Sequence, residues 1–368
     1  MDRRTHAIYE SHARFWISRR GTDPEALRHL AELARSVPAR APLADLGCGP
    51  GWFGARLRRR GRRVLGYDLS AAMLRAARER APRLPLARGD LLQLPFARES
   101  LGGVWAKNCY MHLPFTELPR ALAELHRVLR PNGRIMLSFL RPGTERLGRV
   151  LAPGVTSARG RHEGPLAGRL YTLLEPEAAR DLFEGAGFGA LSVEATGRLW
   201  IRARRARALP DSVRPGLELL VVGLNPSPAA AASGVAYAGA NNRFWPAARA
   251  AGWLTRLRDP AHALERGIGF SDLVKRVSVS ASELRPAEYR RGLRRLERLV
   301  ARFEPRGLVF VGLEGWRRAV DPRALPGPVR GGFAGRPAYL APSSSGRNAR
   351  VSLAELTRHL LRARQRLY

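Results

Sequence analysis

The chain has 368 residues, enough for two separate cores, and carries 64 basic against 31 acidic side chains for a formal net charge of +33. The excess is shared, with 37 basic and 19 acidic residues in 1–207 and 27 and 12 in 208–368, so each half can attract a polyanion. Only Cys48 and Cys109 are present, which excludes a disulfide framework, a four-cysteine zinc site and a four-cysteine iron–sulfur cluster. Lys107 and Lys275 are the only lysines, so a compositional bias toward arginine explains the same charge, and charge alone assigns no partner. The eight histidines form no HExxH motif, and no metal is expected. No apolar run reaches the length of a membrane span, and MDRRTHAIYESHARFW lacks the apolar core of a signal peptide. A cytoplasmic monomer away from membranes is expected.

Between 42 and 140, short apolar runs alternate with helical stretches: PLADLG, GARLRRRG, RRVLGYD, AAMLRAARER, LPLARGD, GGVWAKN, ELPRALAELHRVLR and RIMLSFL. That alternation predicts an α/β fold, a parallel sheet covered by helices, with ligands at the carboxyl ends of the strands. The loop after the first strand is DLGCGPGWFG, where Gly47, Gly49 and Gly51 let the backbone turn tightly and approach a ligand. Asp68 ends the next strand, 21 residues past Gly47, where a carboxylate can accept from both ribose hydroxyls, and Asp90 follows Gly89 at the end of the third. Gly49, Gly51 and Gly54 also satisfy GxGxxG, so a dinucleotide site competes. Asp45 discriminates: a carboxylate there repels a pyrophosphate but suits a sulfonium and an ammonium.

Residues 42–140 resemble class I S-adenosylmethionine-dependent methyltransferases with a DLGCGxG loop. The resemblance continues through HRVLRPNGRIMLSF at 126–139 and LYTLLEPEAARDLFEGAGFGALSVEA at 170–195, the latter similar to the family's closing helix and strand pair. It implies a Rossmann-like domain over 1–200 that binds S-adenosylmethionine, with Asp45, Gly47 and Gly49 at the methionine part, Asp68 at the ribose, and Asp90 with the backbone of Leu91 at the adenine. The methyl acceptor is open. KNCYMHLP at 107–114 replaces the DPPY-like loop of amino-group methylation in DNA; Cys109 reads as a packed thiol and His112 as a structural or substrate-lining residue.

RLWIRARRARALPDSVRPG, 198–216, marks the boundary, with 201–214 as an arginine-rich linker. A second alternation follows: a strand at 217–222, a long loop to Asn242, a helix from Phe244, a strand near GIGFSDLV, a helix through AEYRRGLRRLERLVARF, and strands RGLVFVGL and RPAYLAP. The first strand ends in GLNPS, where Pro226 stiffens the backbone behind Asn225.

GLNPS, NNRFW with Asn242 seventeen residues after Asn225, GFSDLVKR at 269–276 and PSSSGR at 342–347 resemble, in order and spacing, mismatch-specific uracil/thymine DNA glycosylases of the uracil-DNA glycosylase superfamily. The resemblance implies an α/β/α domain over 215–368 that flips a base out of double-stranded DNA containing mismatched or deaminated bases and hydrolyses its glycosidic bond. It implies that Asn225 positions the attacking water, Tyr237 stacks on the base, and Leu224 and Tyr237 read its edge through backbone groups. Asn242 joins that pocket, and Ala230 lines the pyrimidine 5 edge, leaving room for thymine. Arg347 wedges into the duplex, and Ser343, Ser344 and Ser345 contact phosphates. The chain departs from efficient uracil-specific relatives in carrying Asn225 for an acid and Ala341 for a histidine, which implies slow turnover. Ser227 replaces a usual glycine. Asp272 either accepts the N3 hydrogen of uracil, assists the water or caps a helix. The whole reads as a bifunctional fusion; the alternative is a methyltransferase for RNA or a small molecule with a non-catalytic nucleic-acid-binding module.

Overall fold

The computed structural model describes residues 2–18, 23–142, 148–160, 164–348 and 350–367. The chain divides into two compact units, Met1–Glu184 with Phe188–Ala206, and Arg207–Tyr368 with Gly185–Gly187.

The first unit is built on seven strands: β1 (Leu43–Leu46), β2 (Val64–Asp68), β3 (Leu86–Arg88), β4 (Leu101–Lys107), β5 (Leu129–Phe139), β9 (Phe188–Ala195) and β10 (Leu199–Arg205). Their order in space is β3-β2-β1-β4-β5-β10-β9. The five N-terminal strands are parallel, and the β9–β10 hairpin is added antiparallel at β5. A separate antiparallel sheet holds β6 (Gly148–Ala152), β7 (Val155–Arg159) and β8 (Leu170–Leu174). Strand β1 is buried throughout, as a central parallel strand must be when helices cover both faces. The helix Pro24–Ser36 starts on the Asp23 carboxylate, which accepts from Ala26 N, and buries Ala26, Leu30 and Leu33 at helical spacing against Leu43, Trp105 and Trp200.

The structure corrects the expected linker at its start. Residues 201–205 belong to β10, with Ile201 and Ala203 in the core, because Leu199, Ile201 and Ala203 alternate with Arg202 and Arg204 on the exposed face. The arginines that resemble a solvated linker are one face of a strand. Asp90 likewise lies two residues beyond β3, in the loop.

The second unit carries β11 (Leu219–Gly223), β12 (Ile268–Asp272), β13 (Gly307–Val311), β14 (Gly327–Pro328) and β15 (Ala338–Ala341), in the order β12-β11-β13-β15-β14. The first four in that order are parallel and β14 is antiparallel. The carboxyl ends of β11, β12, β13 and β15 therefore open on one rim, which gathers GLNPS, DLVKR and PSSSGR. Phe244, Trp245, Leu356 and Leu360 close one face of the core against Val221, Val309 and Tyr339, each buried leucine contributing about 1.5–3 kcal/mol of transfer free energy. The expected loop to Asn242 contains a helix, Pro228–Ser233, started by the Ser227 hydroxyl accepting from Ala230 N at 3.2 Å. Ser227 thus stands in for a glycine because it caps a helix.

Candidate functional site

In the first unit a cavity of about 1720 Å³ opens at the carboxyl ends of the strands, lined by Asp45, Gly47, Gly49, Asp68, Asp90 and Leu91 together with Trp16, Cys109, His112 and Arg169. All six residues expected at a cofactor are thus brought together. Gly47 and Gly49 have φ of +63° and +53°. A Cβ on Gly47 would stand 2.3 Å from the Cβ of Cys109, so two constraints demand glycine there. Gly47→Ala is expected to weaken S-adenosylhomocysteine binding about tenfold or more, since the left-handed backbone alone costs about 1–2 kcal/mol; titration calorimetry checks this.

Asp68 Oδ2 accepts from Gly49 N at 2.8 Å and Oδ1 from Ser70 N at 2.9 Å, which locks the carboxylate at the end of β2 while each oxygen keeps a lone pair. Asp45 is buried, and its Oδ2 accepts from Gly54 N at 2.8 Å, an unpaired donor of the first turn of the helix Trp52–Arg59. Burial pushes its carboxyl up to about 7, against the Gly54 hydrogen bond and with the neighbouring Asp68 adding to the rise. Asp90 Oδ1 accepts from Leu92 N at 3.0 Å, and Leu91 is buried.

Cys109 is packed under Gly47, with its Sγ 3.2 Å from Leu46 O, and burial pushes its thiol well above the ordinary range. Such a thiol is a packing group. His112 is held at both ring nitrogens, Nδ1 by Leu170 O at 2.7 Å and Nε2 by the Tyr9 hydroxyl at 2.9 Å.

In the second unit Gly223 ends β11 opposite Asp272 at the end of β12. A Cβ on Gly223 would stand 2.6 Å from Asp272 Oδ1 and 3.2 Å from the Tyr237 hydroxyl, so this carboxylate and this phenol share the space above the bare backbone. Asp272 ends a strand and caps no helix. It is 9% exposed, and burial pushes its carboxyl up to about 6, with Lys275 and Arg295 opposing and Asp211 adding to the rise. Two residues beyond Gly223, Asn225 donates from Nδ2 to Ser278 Oγ at 2.9 Å, Pro226 O at 3.2 Å and Arg276 O at 3.3 Å. Among the described residues all its side-chain hydrogen bonds leave from Nδ2, so Oδ1 remains an acceptor.

Tyr237, at φ +56°, stacks one face on Phe244 with centroids 4.3 Å apart, while its ring is only partly buried. Its hydroxyl is buried without a hydrogen-bond partner among the described residues. The Leu224 carbonyl already accepts from Val274 N at 2.8 Å. Ala230 is 2% exposed and belongs to the core. Asn242 Oδ1 accepts from Phe244 N at 2.9 Å, which gives it a role in starting the next helix. Ser344 is 2% exposed, which corrects its expected phosphate contact and leaves Ser343 and Ser345 on the loop surface. Arg347 is exposed and donates from Nη1 to Val279 O at 3.0 Å, reaching from the last loop to the loop after β12.

Two groups escape the sequence reading. Arg243 shapes the serine loop, its Nη2 donating to Ser345 O at 2.8 Å and Asn348 O at 2.6 Å, its Nη1 to Val351 O, and its backbone N to Ser344 O at 2.9 Å. Beneath Asp272, Arg295 pairs with Asp211 at 2.7 Å and donates to Asp272 O at 2.7 Å and Ser271 Oγ at 3.0 Å. Lys275 pairs with the other oxygen of Asp211 at 2.9 Å. Arg295 lies on the buried stripe of the helix Pro286–Phe303 with Tyr289, Gly292, Leu296 and Leu299, and a charge on an apolar stripe is the signal that marks it. Among the described residues no group of three or more His, Cys, Asp or Glu is placed to hold a metal ion.

The family model of a methyltransferase domain matches residues 44–137, and that of the uracil DNA glycosylase superfamily matches 210–365. The chain carries a methyltransferase domain and a uracil-DNA glycosylase superfamily domain. Similar proteins include a malonyl-[acyl-carrier protein] O-methyltransferase of Erwinia pyrifoliae, 34% identical over 161 residues, covering 40% of this chain and 61% of that protein. A trans-aconitate 2-methyltransferase of Methylobacterium radiotolerans is 37% identical over 174 residues, covering 45% of this chain and 65% of that protein. The chain thus spans less than two thirds of either relative. Among solved structures, S-adenosylmethionine-bound CalS10, an amino pentose methyltransferase from Micromonospora echinaspora, aligns with a TM-score of 0.41 at 24% identity, covering 53% of this chain and 96% of that one.

Proposed function

We propose that the chain is a bifunctional enzyme whose glycosylase domain excises uracil from G·U pairs, and thymine from G·T pairs, as a step of base-excision repair, while its methyltransferase domain uses S-adenosylmethionine. The observation that carries the first part is the meeting of Asp272 and Tyr237 above Gly223 on the rim of the parallel sheet, two residues before Asn225 in the same loop.

The flipped base stacks on the Tyr237 face opposite Phe244, and Ser278 turns Asn225 so that Oδ1 accepts from the attacking water. The C1′–N1 bond breaks with its electron pair leaving on the base, the water oxygen bonds to C1′, and its proton passes to Asp272. A carboxyl raised to about 6 is a stronger base than an ordinary aspartate and is still mostly ionised at neutral pH. Ser343, Ser345 and Arg347 hold the phosphates and fill the gap that the base leaves.

Because the ionised form acts, excision is expected to fall about tenfold per pH unit below 6 and to level off above it. Single-turnover rates from pH 5 to 8 check this; a flat profile removes Asp272 from the role, and Asp272→Asn should flatten what activity remains.

The residues of the first cavity fit S-adenosylmethionine: the Asp45 carboxylate and the glycine turn suit its cationic methionine end, Asp68 the ribose, and Asp90 with Leu91 the adenine. When bound, it supplies an electrophilic methyl group on a sulfonium. Asp45 loses its proton as that cation arrives, so binding near pH 7 should release protons, read from calorimetry in buffers of different ionisation enthalpy.

A further inference from the structure

Arg243 has no carboxylate partner among the described residues, and its guanidinium is spent on the last loop of the uracil-DNA glycosylase superfamily domain. Nη2 donates to Ser345 O at 2.8 Å and to Asn348 O at 2.6 Å, Nη1 donates to Val351 O, and the backbone N donates to Ser344 O at 2.9 Å. Asn348 adds two bonds of the same sense, from Nδ2 to Ser343 O at 3.3 Å and from N to Ser345 O at 3.0 Å. Three carbonyls are thus turned onto one half-buried guanidinium, whose Nε is buried without a partner among the described residues. Carbonyl oxygens solvate a guanidinium but do not neutralise it, and a charge taken out of water without a counter-charge is costly.

The direction of these carbonyls fixes the direction of the amides. In a trans peptide the C=O and the following N–H point opposite ways, so with Ser345 O held by Arg243 the Gly346 N–H points away from it. Gly346 is exposed, and its N has no acceptor among the described residues. The Ser343 and Ser345 hydroxyls accept from the Ser345 and Arg347 amides, each at 3.3 Å, and keep their own protons to donate. A Cβ on Gly346 would stand 2.7 Å from Asn241 Cβ and 2.8 Å from Asn241 O, so a glycine keeps the turn seated. One amide and two hydroxyls, on a loop whose peptide dipoles are backed by an unbalanced guanidinium, make a site for a tetrahedral oxyanion.

We propose that Arg243 is a positioning residue of base excision: it holds the serine loop so that the Gly346 amide and the Ser343 and Ser345 hydroxyls grip one phosphodiester beside the flipped nucleotide. That phosphate supplies the missing negative charge, although Arg243 never touches it. Gripping it fixes Arg347, the next residue, at the gap that the base leaves. The proposal rests on the glycosylase reading of this domain and adds to it one residue and one phosphate.

The test is a double-mutant cycle on the full chain, using G·U duplexes in which each phosphate flanking uracil is replaced in turn by a neutral methylphosphonate. Single-turnover base release, titrated with enzyme, gives an apparent Kd for each. In the parent, one replacement should raise that Kd about tenfold or more, the usual worth of a charge-assisted contact. In Arg243→Gln the same replacement should cost less than about twofold, because the loop no longer grips. Arg243→Lys, which keeps the charge without the planar fork, should lie between. A merely structural Arg243 would lower activity but leave the cost of the replacement at its parental size. Equal costs in parent and variants, or a parent indifferent to every replacement, overturn the proposal, and the second result needs no variant to fold. No uracil release by the parent from the unmodified duplex overturns the glycosylase reading instead, so the two failures are distinct.

Discussion

Asn225→Ala is expected to lower single-turnover release of uracil from a G·U duplex by roughly 10²–10³-fold, the usual loss when one preorganised polar group at a reacting centre is removed. Salt-sensitive duplex binding should be largely intact, because the proposed phosphate contacts lie on another loop. The substitution takes away Oδ1, the acceptor that aims the water in the proposed mechanism, together with the Nδ2 bonds to Ser278 and Arg276 that fix the amide. Alkali-labile cleavage of a labelled duplex reads the first effect and filter binding at two salt concentrations reads the second. An alanine variant that cleaves as fast as the parent would remove Asn225 from the chemistry.

Asp211→Ala is expected to destabilise the uracil-DNA glycosylase superfamily domain by about 3–5 kcal/mol, measured by urea unfolding of the full chain. The carboxylate sits between Arg295 and Lys275, both almost fully buried, and its loss leaves two cations facing each other in the core. Burial alone would raise the Asp211 carboxyl, but Arg295 and Lys275 outweigh it and hold the group below its ordinary value of 3.8. The stabilisation from this shift is therefore complete above that value and is lost as the pH falls through the lower value of the folded protein. Because Arg295 also holds the Asp272 carbonyl, a folded remnant of the variant should show a displaced pH dependence of excision.

The parallel strands were legible because each is a short apolar run bounded by glycine or a turn: PLADLG became β1 and LELLVVGLNPS became β11. The rim residues Asn225 and Asp272 were legible because they follow such runs directly. The β10 strand was not, since four arginines at 202, 204, 205 and 207, of which only Arg202 and Arg204 form its exposed face, hide its alternation from any count of charge. Asn242 and Ser344 received their roles from the family resemblance, but their surroundings give Asn242 a helix start to hold and bury Ser344. Arg169 carried no sequence signal at all: its environment is made by Tyr9, 160 residues away along the chain. Burial of a polar group is a tertiary property, although Arg295, set on an apolar helical stripe, announces it locally.

The most direct measurement is base release by the purified full chain from end-labelled duplexes carrying a single G·U or A·U pair, under single-turnover conditions. Alkali-labile cleavage at uracil opposite guanine, faster than opposite adenine, is the expected result, since the weaker pair costs less to open. No cleavage at any uracil with enzyme in excess would contradict a hydrolytic role for the Asn225 and Asp272 rim.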